Sequence, residues 1–224
     1  QEGTDIKGLA AKYLDRLDEP KAKRERAGNR RHVATWTYQR ADGTPFLQVD
    51  RFDWDGGAKD YPTKRLDGKP VTGMTDHEPY HLPEVIQATT VFILEGEKCC
   101  DMARDHLGIV ATTNPQGAGK WQDAYTKALD GCCEAVVMTD KDEAGRIHAY
   151  SVASDLYCAG IPVKMIEMPD VDGETIKDVS DWLSAGGTRE ELLSLVDKHP
   201  RWALSQVPDP VINPELQSLI SRYG

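Results

Sequence analysis

The chain reads as an α/β protein, with a largely parallel sheet flanked by helices and, ahead of it, a small α+β unit built on an antiparallel sheet. Three observations predict this. Val91-Phe92-Ile93-Leu94 and Ala135-Val136-Val137-Met138 are short continuous apolar runs bounded by turn residues, the pattern of strands buried on both faces. Strand-like and helix-like segments alternate from residue 91 to 168, as in a sheet covered by helices. Before them, residues 33–38 and 46–52 are rich in β-branched and aromatic side chains and flank the turn signal Ala41-Asp42-Gly43-Thr44.

Taken in order, Ile6, Leu9, Ala10, Tyr13, Leu14 and Leu17 recur at helical spacing and predict an amphipathic helix over residues 5–18. Residues 19–31 are polar and basic, and suit either a solvated linker or a segment that contacts phosphates. The two strands at 33–38 and 46–52 are followed by a third extended piece at 59–65, giving a sheet of about three strands that needs a neighbour to be stable. A short helix begins near Tyr80, with Pro83 in its first turn, where a missing N–H costs least. The alternating core then reads as strand 91–94, helix 97–107, strand 109–113, helix 121–130, strand 135–139, helix 144–159 and strand 163–168. Gly108, Gly131 and Gly160 suit the ends of its helices. Two more helices follow at 178–184 and 188–198, the second opened by the capping-box pattern Thr188-x-x-Glu191. Residues 207–214 contain three prolines and read as a linker, with a short helix at 214–222. The units expected are 1–80, 81–200 and a tail at 201–224.

At 224 residues and 39% hydrophobic content, the chain can bury one substantial core plus a small second unit. No apolar run approaches the length of a membrane span or of a signal-peptide core, so a cytoplasmic protein without a membrane partner is expected. The start at Gln1 and the proline-rich tail suggest a piece of a longer protein. Five cysteines, arranged as Cys99-Cys100, Cys132-Cys133 and Cys158, form no Cys-x2-Cys pair and read as reduced thiols rather than a zinc site. The net charge of −10 is unevenly distributed. Residues 21–69 carry 12 Lys/Arg against 7 Asp/Glu, whereas residues 70–224 carry 12 against 25. A phosphate-binding part followed by a cation-binding part fits that division.

Ligands of parallel sheets bind at the C-terminal ends of the strands. Glu95 sits at one such end, and Asp140 and Asp142 at another, with Asp178 following the next strand. Carboxylates gathered in one crevice either share protons or hold a hard cation, and beside phosphates that cation is usually Mg2+. Asp140, Asp142 and Asp178 are therefore the candidate metal ligands, and Glu95 is either a further ligand or a general acid/base. Asp181 is a weaker candidate that could instead cap a helix or face solvent. Gly96 and Gly145 mark places where the backbone comes close to a ligand or turns tightly. Arg146, beside the aspartates, and Lys98, just after Glu95, are candidate phosphate contacts, Lys98 having the alternative of pairing with an acid on its own helix. Arg51, Lys64 and Arg65, with Arg40 and Lys59, would form a basic ridge on the amino-terminal sheet. The loop 113–121 ends in Gly119-Lys120, but no register gives the phosphate-loop spacing, and Trp121 stands where a Ser or Thr would touch Mg2+. ATPase chemistry is excluded there. Lys120 remains a candidate for phosphate or template.

Glu95-Gly96, Asp140-x-Asp142 followed by Ala144-Gly145-Arg146, and Lys177-Asp178 before Ser180-Asp181-Trp182-Leu183 together resemble the Toprim domain of bacterial-type primases, topoisomerases and some nucleases. The resemblance covers residues 80–198 and is closest to Toprim primases of phages and mobile elements, often fused to a helicase. It implies the catalytic core of a DNA primase: a nucleotidyltransferase dependent on Mg2+ or Mn2+ that makes RNA primers from ribonucleoside triphosphates on single-stranded DNA, alongside a replicative helicase. It also implies acid/base work for Glu95, the role often assigned in that family. Two other readings stand beside it: a metal-dependent nuclease using the same acids, and a non-catalytic module that binds single strands or docks a helicase. A topoisomerase is disfavoured by the absence of room for strand-passage domains.

Overall fold

A computed structural model describes residues 24–72 and 76–203, with Glu143 and Ala144 described by their backbone alone. The helix expected at 5–18, the linker at 207–214 and the helix at 214–222 lie outside the described residues.

Strands β1 (Arg30–Gln39) and β2 (Pro45–Trp54) form an antiparallel pair with Trp36 opposite Val49 and Tyr38 opposite Leu47. Their turn forms where Ala41-Asp42-Gly43-Thr44 predicts it. The Thr44 N–H donates to Asp42 Oδ1 at 2.9 Å, and the Gly43 N–H donates to the Arg40 carbonyl at 2.8 Å. The third extended piece forms as β3 (Lys59–Asp60) and β4 (Thr63–Arg65), both paired with β2 in one continuous register, Asp60 opposite Phe52 and Thr63 opposite Val49, so among the described residues the sheet is three strands wide with its third strand interrupted. Pro62 explains the break, because it has no N–H to give to a ladder. Its carbonyl still accepts from the Asp50 N–H at 3.0 Å, which keeps Tyr61-Pro62 against the sheet.

The second sheet is parallel throughout, in the order β6-β5-β7-β8, from β5 (Thr90–Ile93), β6 (Ala111–Thr112), β7 (Glu134–Thr139) and β8 (Val163–Glu167). Around it lie α1 (Leu82–Val85), α2 (Glu97–Leu107), α3 (Asp123–Ala128), α4 (Glu143–Cys158), α5 (Val179–Ser184) and α6 (Arg189–Lys198). The expected α/β class is observed, with β6 and α3 shorter than the sequence suggested. Gly108 closes α2 in the left-handed conformation, with φ of 59°, as a helix-ending glycine should. The Thr188–Glu191 capping box forms at the start of α6.

Alternate residues of the central strands serve two cores, as period-two geometry requires. Val91, Ile93, Ala135, Val137 and Val163 pack with Val152, Ala153 and Leu156 of α4 and with Trp202. Phe92, Leu94, Val136, Met138 and Ile166 point the other way, into a cluster that also contains Trp36, Tyr38, Phe46, Leu47 and Val49 of the antiparallel sheet. Each such side chain contributes about 1.5–3 kcal/mol by leaving water. The antiparallel sheet thus gains the neighbour it needs, and the hydrophobic core runs unbroken across residue 80.

Candidate functional site

Because β5 and β7 are adjacent and parallel, their C-terminal ends bring Glu95 and Asp140 to one rim of the sheet. Gly96, with φ of 85° and ψ of 151°, turns the chain out of the strand into α2 through a conformation open almost only to glycine. Its N–H donates to Thr113 Oγ1 at 3.2 Å, which ties the turn to the loop after β6. Gly145 answers a different need. A Cβ there would lie 2.6 Å from Asp140 Cβ and 3.1 Å from Glu95 Oε2, so both acids converge on the first turn of α4 and only a hydrogen fits between them and the helix.

The pocket is electrostatically loaded. Burial raises the Asp140 carboxyl to about 7, helped by the charges of Glu95, Asp178 and Asp142 and opposed by Lys177. Glu95 is also raised, first by burial and then by Asp142 and Asp178. Its Oε2 is buried without a hydrogen-bond partner. Burial works against the Lys177 charge, but Asp140, Asp142, Asp178 and Glu95 outweigh it and hold the ammonium above its usual range. Lys177 Nζ lies 3.7 Å from Asp142 Oδ2. Among the described residues, these four carboxyls therefore share Lys177 as their counter-charge. Lys177 was visible in the sequence only as the neighbour of Asp178, and its placement among the acids is a structural finding.

Asp142 and Asp178 also serve the backbone. Asp142 Oδ1 accepts from the Gly145 N–H and Asp178 Oδ1 from the Asp181 N–H, both at 2.9 Å, which caps α4 and α5. Asp181 accepts from the Lys177 N–H at 3.3 Å, the capping alternative for that residue. Asp142 and Asp178 each cap through one oxygen and keep the other; among the described residues no three His, Cys, Asp or Glu side chains are arranged to hold a metal ion. The donor set still suits Mg2+ or Mn2+. Mg2+ commonly keeps several waters and binds through one or two carboxylates plus substrate phosphates. Glu95 and Asp140, one with an orphaned oxygen and both short of neutralising charge, are such a pair.

A cleft of about 360 Å³ opens beside them, lined by Glu95, Gly96, Glu97, Lys98, Cys99 and Asp140, by Gln116 and Gly117 of the loop after β6, and by Trp36, Val49, Arg51, Tyr61 and Thr63 of the antiparallel sheet. Of the expected cationic contacts, Lys98 lines this cleft and donates from Nζ to Ser180 Oγ at 2.8 Å. Arg51 lines it as well, held by two 2.8 Å hydrogen bonds to Asp53. Arg146 pairs on the surface with Glu167, from Nε at 3.0 Å. Lys64 and Lys120 are exposed. Arg65 requires a correction: its side chain is only 2% exposed and bound by Asp67 and Asp76, so it does not project from a ridge. Asp76 also pairs with Arg40, which neutralises a second member of that ridge from a segment outside the sheet. Glu97 was missed at the sequence level. It is buried, accepts from the Tyr38 hydroxyl at 2.8 Å, and is raised by burial above the usual carboxylate range.

The fold carrying this site is that of the catalytic core of bacterial DnaG primases. One such structure is the Aquifex aeolicus primase, comprising its zinc-binding and RNA polymerase domains, with a TM-score of 0.62 and 15% identity over 84% of this chain and 46% of that one. The E. coli primase catalytic core gives 0.57 and 16%, over 85% of this chain and 61% of that one. A DnaG primase catalytic domain bound to single-stranded DNA gives 0.56 and 17%, over 85% and 62%. The chain thus spans about half to three-fifths of the length of these neighbours. No family model and no curated protein matches the sequence.

Proposed function

We propose that the chain is a primase core that joins ribonucleotides on a single-stranded DNA template, of the kind that works beside a replicative helicase in phages and mobile elements. The observation that carries this reading is the convergence of Glu95 and Asp140 on Gly145, with raised proton affinities and an unpartnered Glu95 oxygen, at the floor of a cleft in a primase-like fold. Asp140 and Glu95 would hold Mg2+ or Mn2+, with Asp142 and Asp178 adding negative potential and the oxygen that each keeps beyond its cap. A bound divalent ion supplies charge neutralisation at the phosphoryl group and acidifies the attacking hydroxyl.

The chain's own residues account for the other requirements. In the alternative arrangement, in which Asp140 holds the ion with Asp142 or Asp178, Glu95, half-buried and raised in proton affinity, is free to accept a proton from a primer hydroxyl. Lys98 and Arg51 face the cleft in which triphosphate oxygens would lie, and Lys177 balances the acids when no cation is present. Lys64, Lys120 and Arg146 are surface cations suited to the template backbone, and Arg65 supports Lys64 by anchoring β4.

The test is incubation with single-stranded template, ribonucleoside triphosphates and Mg2+ or Mn2+, scored for both extension and cleavage. Primer products that Asp140→Asn reduces by more than about 100-fold, a loss at or beyond the range for disturbing a metal's supporting residues, are expected. Cleavage without extension would make the protein a nuclease on the same acids. DNA binding with neither product would leave a non-catalytic module.

A further inference from the structure

Among the described residues no side-chain hydrogen bond or ring contact occupies Tyr61. It is a large aromatic residue, 49% exposed, in the two-residue break between β3 and β4, and it lines the cleft. Beside it in the lining are Trp36, 6% exposed, and Val49, 3% exposed, both fixed in the core. The Pro62 carbonyl bonded to the Asp50 N–H anchors the break, so the ring is carried on a restrained segment. Arg51, locked on Asp53, lies close enough to influence the Tyr61 hydroxyl electrostatically. The lining also includes part of the loop after β6. Gln116 and Gly117 take left-handed conformations, with φ of 72° and 76°, and Asn114 Nδ2 donates to the Gly117 carbonyl at 2.8 Å. The antiparallel sheet therefore contributes Trp36, Val49 and Tyr61 to the lining, with Arg51 and Thr63 beside them, and the rim of the parallel sheet contributes the acids Glu95 and Asp140.

That division matches a nucleotide, which is flat and π-rich at one end and polyanionic at the other. A volume of about 360 Å³ falls in the range of small-molecule sites. Base–aromatic stacking works for any base, because each has a π-face. We propose that Tyr61 is the stacking platform for the base of the incoming ribonucleoside triphosphate. The antiparallel sheet then supplies a nucleotide-positioning residue to the site as well as any contact with template. The inference rests on the proposed nucleotidyl transfer for its choice of ligand, and it is tested by binding as well as by turnover.

The experiment titrates ATP, UTP, inorganic tripolyphosphate and an oligodeoxythymidine into the chain in Mg2+ buffer by calorimetry, for the native protein and for Tyr61→Phe, Tyr61→Leu and Tyr61→Ala. Stacking energies predict that Tyr61→Ala and Tyr61→Leu weaken ATP and UTP by about 5-fold to about 100-fold, while Tyr61→Phe stays within about twofold. Tripolyphosphate affinity is expected to be unchanged in all three, a result that general disturbance of the fold would not give. An unchanged nucleotide affinity in Tyr61→Ala, a parallel loss for tripolyphosphate, or native protein that binds no nucleotide would each overturn the assignment. So would a loss confined to oligodeoxythymidine, which would give the ring to the template. Primer extension on the same preparations separates the two ideas. Native protein that binds nucleotides through Tyr61 but makes no primer refutes the proposed function and leaves Tyr61 as a platform. Active protein whose KM is unaffected by Tyr61→Ala refutes the platform alone.

Discussion

Asp140 is where burial and like charge do most to the chemistry of the site. Its carboxyl, raised from 3.8 to about 7, keeps a proton in the folded chain over a range in which the unfolded chain has lost it. The folded state therefore binds more protons than the unfolded state between about pH 4 and about pH 7, and stability falls as pH rises across that window. In metal-free buffer Asp140→Asn is expected to flatten the slope. It should raise stability at pH 8 by on the order of 1–3 kcal/mol, discounted for the part of the side chain that water reaches, while the proposed nucleotide addition is lost. Thermal melts of both proteins from pH 4 to 8 check this, and a native protein with no fall in stability above pH 4 would contradict it. Asp140 and Asp142 were legible in the sequence as acids at a strand end. Their unequal roles were not, because which acid is buried and which caps a helix depends on where α4 begins. Lys177 escaped for the same reason, since ten residues of chain separate β8 from Asp178 and no local pattern says where they return.

At the scale of elements, the site depends on how closely α4 approaches the end of β7. Gly145 permits that approach, and a methyl group there would stand 2.6 Å from Asp140 Cβ, well inside van der Waals contact. Gly145→Ala is expected to push the helix start away from the rim, costing about 1–3 kcal/mol of stability as an overpacking defect. The proposed primer synthesis should fall far more than stability does, because α4 no longer seats against the acid rim; activity assayed well below the melting temperature measures the difference. The strands and most helices around this junction could be read from sequence because each carries a strong local signal: buried apolar runs in β5 and β7, and a capping box in α6. The third antiparallel piece was legible as well, apart from its interruption. Its composition is strand-like on both sides of Tyr61-Pro62, and only the missing proline N–H separates β3 from β4. The basic ridge was overread because charge counting does not reveal partners. Arg65 and Arg40 meet Asp76, and Arg51 meets Asp53, so much of the local positive charge is already satisfied.

At the scale of the whole molecule, the antiparallel sheet and the parallel sheet share one core. Trp36, Tyr38, Phe46 and Leu47 lie in the same cluster as Phe92, Leu94, Val136 and Met138, and the buried Tyr38–Glu97 hydrogen bond crosses between the two parts. A sequence boundary near residue 80, drawn from the change in charge and in strand type, therefore cuts through packed side chains. A fragment beginning at residue 81 would keep the helices that share this cluster but would uncover the apolar surface on which Trp36, Tyr38, Phe46, Leu47 and Val49 pack, and exposed apolar surface promotes association. Such a fragment is expected to bind a hydrophobic dye and to aggregate, whereas the intact chain should unfold in a single transition by both tryptophan fluorescence and far-ultraviolet circular dichroism. Tyr38→Phe probes the same junction more gently. Removing the hydroxyl leaves Glu97 buried without this donor, so a loss of about 1–3 kcal/mol is expected. Because Glu97 lines the cleft, nucleotide affinity should weaken along with stability. A variant that melts like the native protein and binds nucleotide equally well would mean that the two sheets pack without depending on this bond, and that the acid rim does not rely on the antiparallel sheet for its shape.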